Sequence, residues 1–246
     1  MVPKEEKIIL IIGACSEIAL ECAREFAKNG YDIFAVGKDL EIVTKTYEQF
    51  KEKYKVKIKS YELDINDEHK FNRFISTLPA LPDICLLAVG VLGEQNYDQL
   101  SVEKASKIIK TNFEGPALFL GEIANFFEQR GSGAIIGIAS VAGLRGRGSN
   151  YIYGSSKSGL ITFLSGLRNR LFKSGVTVLT VIPGFVQTKM LSRISPPKIL
   201  ITRPDHLAKK IYKNRSKDII YSSFKWLIIM KIINLIPEKI FKRLEL

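Results

Sequence analysis

The sequence predicts an α/β fold organised as a doubly wound parallel sheet in one domain. Residues 7–12, 84–89, 133–139 and 176–182 are apolar runs without polar alternation, the pattern of strands buried on both faces. These runs alternate with stretches whose apolar residues recur at helical spacing, which places covering helices between parallel strands. The chain has 246 residues, 46% of them apolar, enough for one full α/β core. Short connections and right-handed crossovers then favour winding in both directions from the middle of the sheet.

In chain order, residues 7–12 form the first strand. Residues 16–29 form a helix with Ile18, Cys22 and Phe26 on one face and Gly30 just beyond its end. Strands follow at 32–36 and 57–63, separated by a charged helix over 40–53. A short helix covers 68–77, and the strand at 84–89 comes after a Pro-rich turn. A long helical region spans 102–129, with a bend expected at Gly115-Pro116. The strands at 133–139 and 176–182 flank a helix over 150–173. Pro196-Pro197 marks a loop, residues 204–213 form a helix, and residues 219–221 add a final short strand.

Composition narrows the function. Cys15, Cys22 and Cys85 make no disulfide framework, and with only His69 and His206 besides them there is no metal-ligand cluster. This cysteine usage fits a reducing compartment, hence a cytoplasmic protein. No secretory signal is expected, since the first apolar run is short and follows an acidic flank. No stretch reaches the roughly 20 apolar residues of a spanning helix. Net charge is +12, and residues 190–246 carry 13 Lys/Arg against 4 Asp/Glu. The basic charge therefore gathers in the last quarter of the chain, as it would for an anionic partner or for solubility.

Gly13, Cys15, Ser16, Glu17 and Ile18 occupy the turn from the first strand into the first helix. Helix N-terminal N–H groups and the helix dipole favour an anion there, and in this architecture the anion is a dinucleotide pyrophosphate. A structural strand-to-helix turn reads the same way. Glu17 brings a negative charge to that anion site, so it must point away or contact a ribose. Lys38, just past the second strand, either neutralises a 2′-phosphate, favouring NADP over NAD, or is a solvated lysine. Asp64 and Ile65 end the third strand, where the Asp64 carboxylate can accept a bond from an adenine amino group.

Tyr153 and Lys157 are four residues apart and share a helix face. Ser140 ends the buried run GAIIGIAS. A carbonyl that accepts hydride develops negative charge on oxygen and needs a proton. Tyr153 can give that proton in reduction and take it in oxidation. Its ordinary pKa of about 10 is too high for base work near neutrality, and the Lys157 cation is expected to lower it. Ser140 can hydrogen-bond the carbonyl oxygen beside Tyr153. Tyr151 points off the Lys157 face and is expected to pack or to line a pocket.

The Gly13 loop, Asp64, Ala88-Val89-Gly90, Asn112, Ser140, Tyr153-x-x-x-Lys157 and Pro183-Gly184 with Thr188 stand in the order of the short-chain dehydrogenase/reductase family, which this chain resembles over about residues 7–221. Departures from the family pattern are Ile12 before Gly13, Glu17 and Ala19 in place of glycines, and Ala88-Val89 in place of an asparagine-rich turn. The resemblance implies a Rossmann-type sheet of about seven strands and a nicotinamide cofactor. It also implies that Lys157 bonds the nicotinamide ribose and that Asn112 holds a water linking Lys157 to solvent. Ala88 and Gly90 would line the cofactor, and Pro183, Gly184, Val186 and Thr188 would contact the nicotinamide amide or phosphates. Homodimers and homotetramers are common in the family.

Residues 222–246 form a tail distinct from a catalytic domain over residues 1–221. Phe224 to Ile236 is apolar apart from Lys225, Lys231 and Asn234, and Pro237 interrupts the run before a basic apolar end. Three roles fit: docking on an anionic membrane surface, covering a subunit partner or roofing the substrate cleft. Nucleic acid fits poorly, because aromatic residues are not interleaved with the basic ones. The Ser16-Glu17-Ile18 loop, the Gly90-x-x-Gly93 turn and this tail are also similar to the decaprenylphosphoryl-keto-pentose reductase branch, which implies a lipid-linked carbonyl substrate. The expected function is NADP(H)-dependent hydride transfer between nicotinamide and a carbonyl or secondary alcohol. A soluble 3-oxoacyl reductase and a non-catalytic dinucleotide sensor are the alternatives. The complete Asn112, Ser140, Tyr153 and Lys157 set argues against the sensor.

Overall fold

The computed structural model describes residues 7–193 and 196–244. The first six residues of the expected domain and the last two of the expected tail lie outside the described residues. In chain order the elements are β1 (Lys7–Ile12), α1 (Glu17–Lys28), β2 (Tyr31–Gly37), α2 (Leu40–Tyr54), β3 (Ile58–Glu62), α3 (Phe71–Ser76), β4 (Ile84–Leu87), α4 (Gln95–Asp98), α5 (Val102–Ile109), α6 (Gly115–Arg130) and β5 (Gly133–Ile138). After them come α7 (Tyr151–Leu171), β6 (Val176–Ile182), β7 (Phe185–Val186), β8 (Ile201–Thr202), α8 (Pro204–Lys213), β9 (Ile219–Tyr221), α9 (Phe224–Leu235) and α10 (Glu238–Phe241).

Seven strands form one parallel sheet in the order β3-β2-β1-β4-β5-β6-β9. Strand β1 shows why the sheet is double-faced. Ile9 and Ile11 point into one core with Phe26 of α1, Tyr47 of α2 and Leu207 of α8. Ile8, Leu10 and Ile12 point into the other with Leu120 of α6 and Leu164 of α7. The pleat sends successive side chains to opposite faces, so a strand covered on both sides must be apolar throughout. Each such isoleucine or leucine contributes roughly 1.5–3 kcal/mol by its burial.

The strand order reverses between β1 and β4. In such sheets the ligand crevice opens at that switch point, beyond the carboxyl ends of the strands. Ser16, Gly90, Ser140 and Gly184 all follow the ends of central strands.

The helical region expected over residues 102–129 is interrupted. Between α5 and α6, Lys110–Glu114 is a π-helical turn. This widened turn, not the expected bend at Gly115-Pro116, is the irregularity; Pro116 sits in the first turn of α6, where its missing N–H costs nothing. The turn carries Asn112, fully buried, to the edge of the crevice. Helix α4 and the small parallel pair β7-β8 had no expectation from sequence.

Helix α9 returns to the molecule. Trp226 and Met230 pack against Val141 and Ile182 in a third apolar cluster. Arg145 fastens the segment beyond it. Its guanidinium donates to the Ile236 carbonyl (3.2 Å) and to Glu238 (2.8 Å), and lies 4.1 Å over the Phe241 ring. Among the described residues, no helix is long and apolar enough to cross a membrane.

Candidate active site

A cavity of about 430 Å³ opens at the carboxyl ends of β1, β4, β5 and β6. At one end is the turn after β1. The Gly13 and Ala14 N–H groups both donate to the Val36 carbonyl of β2, at 3.0 and 2.9 Å. Gly13 has φ +78°, and a methyl group there would lie 2.9 Å from Val89 and 3.0 Å from the Ala88 carbonyl. Only glycine suits that backbone and that gap. Ser16 caps α1: its hydroxyl accepts from the Ala19 N–H (3.3 Å) and donates to the Ala88 carbonyl (3.2 Å). The start of α1 is thus tied to the end of β4, with its N–H groups facing the cleft.

Glu17 lines the same cavity, with its carboxylate engaged at the segment after β7. Its carboxylate accepts the Lys189 backbone N–H at 2.7 Å, joining the first helix to the segment after β7. Thr188, just before it, turns its hydroxyl to the Val186 carbonyl (3.3 Å). Cys15, Ile18, Ala88, Gly90, Pro183, Gly184, Val186 and Thr188 line the same cavity.

Lys38 and Asp64 pair with each other at 2.8 Å across the ends of β2 and β3. The hydrogen bond from Lys38, then the Asn66 backbone N–H, holds the Asp64 carboxyl below its usual range. The same pairing raises the Lys38 ammonium. The Ile65 side chain lies in the apolar core beside Leu63 and Phe71, outside the cavity lining. The Ile65 side chain thus packs inward, which leaves its backbone for any part in a cofactor site.

Ser140, Tyr153 and Lys157 meet at the other side of the cavity. Ser140 ends β5 in extended backbone, and its hydroxyl accepts from the Ala142 N–H at 3.1 Å. Burial raises the Tyr153 phenol to about 12, while its hydrogen bond with Ser140 acts the other way. Lys157 is 3% exposed; its ammonium donates to the Val89 and Ile138 carbonyls, both at 3.2 Å, and lies 5.9 Å from the Tyr153 ring centre. Burial lowers it to about 8. The expected lowering of the Tyr153 phenol is thus corrected. Desolvation of the phenolate, opposed by the Ser140 hydrogen bond, leaves the phenol above its ordinary value in this structure.

Asn112 is bonded throughout. Its side chain accepts from the Val91 N–H (3.0 Å) and donates to the Val91 (2.8 Å) and Ile108 (2.9 Å) carbonyls. It fixes the loop after β4 against α5, close to the Val89 carbonyl that receives Lys157. Tyr151 is half exposed and donates to Gln99 (3.4 Å), outside the cavity lining.

The cavity lining includes residues that the sequence did not single out for the site, among them Trp226, Arg147, Asn150, Phe185 and Leu191. Trp226 comes from α9, and its indole N–H donates to the Leu200 carbonyl at 3.0 Å. Arg147 and Asn150 come from the loop before α7. A short spacing from Tyr153 was their only signal. A second, more open groove of about 610 Å³ between α1 and α8 shares no lining residue with this cavity and is walled mainly by charged side chains. No group of three or more His, Cys, Asp or Glu among the described residues could hold a metal.

A strand-helix turn with free helix N–H groups, a glycine where no Cβ fits and a Ser/Tyr/Lys cluster across the cleft define a nicotinamide-dependent oxidoreductase site. The family model "short chain dehydrogenase" matches residues 7–198, and the chain belongs to that family. An uncharacterised oxidoreductase of Mycobacterium tuberculosis is 29% identical over 203 residues, covering 81% of each chain. The NADP-dependent 3-hydroxy acid dehydrogenase of Schizosaccharomyces pombe is 28% identical over 188 residues, 74% of this chain and 73% of the relative. A short-chain dehydrogenase of Sphingobium yanoikuyae, solved with NADPH, superposes with a TM-score of 0.78 at 21% identity, over 94% of this chain and 97% of that one. These names support the family and not the polyprenyl-linked branch.

Proposed function

We propose that this oxidoreductase reduces a carbonyl group, or oxidises the matching secondary alcohol, with NADP(H) preferred over NAD(H). The observation that carries the proposal is the convergence of Ser140, Tyr153 and Lys157 in one cleft whose far end is the Ser16-capped start of α1. When bound, the cofactor supplies or accepts the hydride. The chain's own residues handle the oxygen and its proton. Ser140 and Tyr153 hold the carbonyl oxygen in the reductive direction, and Tyr153, protonated at neutral pH, is the donor. Lys157, fixed by two backbone carbonyls, favours the phenolate that remains and reaches the nicotinamide ribose. Asn112 positions the Val91 loop behind it. Gly13, Cys15, Ser16 and Ile18 would cradle the pyrophosphate, with Glu17 holding the wall at Lys189. Asp64 would meet the adenine, while Pro183, Gly184, Val186 and Thr188 would flank the nicotinamide.

Two features favour NADP. Lys38 stands at the end of β2 with 79% of its side chain exposed, free to exchange Asp64 for a 2′-phosphate. A relative is also named for NADP.

The substrate is hydrophobic or lipid-linked in this reading. Trp226, Phe185 and Leu191 give the cleft an apolar wall. The outer face of α9 exposes Phe224 (71%), Ile232 (59%) and Leu235 (82%), opposite the buried Trp226 and Met230. Lys225, Lys231, Lys239, Lys242 and Arg243 accompany that face. An apolar stripe with basic flanks suits an anionic membrane surface, which would make the protein peripheral on the cytoplasmic side. A homodimer or homotetramer accords with the family. The test is NADPH oxidation across a panel of carbonyl compounds, 3-oxoacyl thioesters included. Turnover by the wild type and its loss in Tyr153→Phe are expected; a rate unchanged by that substitution defeats the proposal.

A further inference from the structure

The loop between β5 and α7 carries two arginines with different fates. Arg145 is fully engaged with the tail. Arg147 turns into the cleft, and its side chain makes no hydrogen bond or ion pair among the described residues. Its Nε is buried without a partner, and burial lowers its pKa. A guanidinium is a permanent cation, and a partly buried one without a counter-charge gains when an anion arrives.

Asn150 repeats the pattern one turn on. It stands at the N-cap of α7 yet makes no side-chain cap bond, although asparagine is among the best capping residues. The Ile152 N–H is taken instead by Gln95, at 3.1 Å. Asn150 Oδ1 is left buried, without a partner and on the cleft wall. The Asn150 N–H donates to the Arg147 carbonyl (3.1 Å), so one turn carries both side chains into the cleft just before Tyr153.

We infer that Arg147 is the oxyanion-recognition residue of the substrate end of this cleft, so that the carbonyl substrate carries a phosphoryl or carboxylate group near the reacting carbon, with Asn150 accepting a donor from the same molecule. The inference rests on the proposed carbonyl chemistry and adds the substrate's charge. The guanidinium fork matches both oxyanions. Beside the apolar wall of Trp226 and Leu191, Arg147 is a cation of the cavity lining that the proposed hydride chemistry does not use.

The test pairs ketones that differ only in carrying a neutral ester, a carboxylate or a phosphate ester, assayed with NADPH on wild type, Arg147→Met and Arg147→Lys. The wild type should favour the charged members. Arg147→Met should raise their KM about tenfold or more relative to that of the neutral ketone, with Arg147→Lys in between. The favoured oxyanion separates phosphoryl from carboxylate. An equal loss on neutral ketones, or no charge preference in the wild type, overturns the inference. Weaker NADPH binding in Arg147→Met also overturns it and assigns the arginine to the cofactor phosphates. A second arm needs no turnover: inorganic phosphate titrated into NADPH-saturated protein, read by fluorescence of Trp226, the single tryptophan. Saturable quenching in wild type and none in Arg147→Met supports the site even if every ketone on the panel is refused. Identical titrations of the two proteins refute it.

Discussion

The Trp226 indole lies directly against Gly184: a methyl group on that glycine would sit 1.9 Å from the ring. The ring also meets Phe185 edge-on, with centroids 5.2 Å apart. Through this contact the apolar tail becomes a wall of the catalytic cleft. Gly184→Ala should overpack the contact and destabilise the protein by about 1–3 kcal/mol in chemical denaturation. Trp226→Ala in the same chain should recover most of that loss, because the two positions are coupled. Additive effects would show that Gly184 answers to something other than the indole.

Glu17 is expected to serve the substrate side of the cleft more than the cofactor. Glu17→Ala removes the acceptor for Lys189 and should raise KM for the carbonyl substrate. Glu17→Gln keeps an acceptor and removes a charge beside the anion site, so it should tighten NADPH binding. Weaker NADPH binding in Glu17→Gln would show that the carboxylate contacts the cofactor.

Lys38→Asp should weaken NADPH binding by about tenfold or more while changing NADH little, the loss of one charge-assisted phosphate contact. Equal effects on both cofactors, measured by titration, would remove the 2′-phosphate from the account.

The pH dependence follows from two buried groups. Oxidation needs the Tyr153 phenolate, whose folded pKa is about 12, so its rate should climb with pH through the alkaline range. Reduction, which uses the phenol, should not. For Lys157 the folded pKa of about 8 lies below the ordinary value near 10.5. Between those values the unfolded chain binds more protons, so this group's contribution to stability rises with pH across that window. Lys157→Met should flatten that rise in Tm, and an unchanged profile would assign it to other groups.

Replacing Phe224 and Ile232 with serine should reduce sedimentation with anionic vesicles and leave turnover of a soluble ketone intact. No change in sedimentation would assign the exposed face to a partner subunit.

Much of this was legible because strand burial and loop chemistry are local. The Ile8 to Ile12 run has no polar break, so it can only lie under helices on both faces. Spacing puts Tyr153 and Lys157 on one helix face; joining them to Gly13, Ser16 and Ser140 takes the order of the motifs along the chain, which resembles that of the family. Other features depend on contacts far apart in the chain. Nothing near Arg145 and Arg147 tells that one binds the tail and the other faces the cleft. The π-helical turn at Asn112 reflects bonds to Val91, and Glu17 finds its partner at Lys189. Trp226 on Gly184 requires α9 to fold back, which its apolar sequence permits but does not specify.

In the proposed reaction Tyr153 gives its proton to the carbonyl oxygen, which Ser140 also holds, while hydride passes to the carbonyl carbon. NADPH deuterated at nicotinamide C4 tests it most directly, with the alcohol product analysed by mass spectrometry. The expected result is deuterium on the carbinol carbon with wild type and no labelled alcohol above background with Tyr153→Phe. Equal labelling by both proteins, or consumption of NADPH with no label in the alcohol, would contradict it.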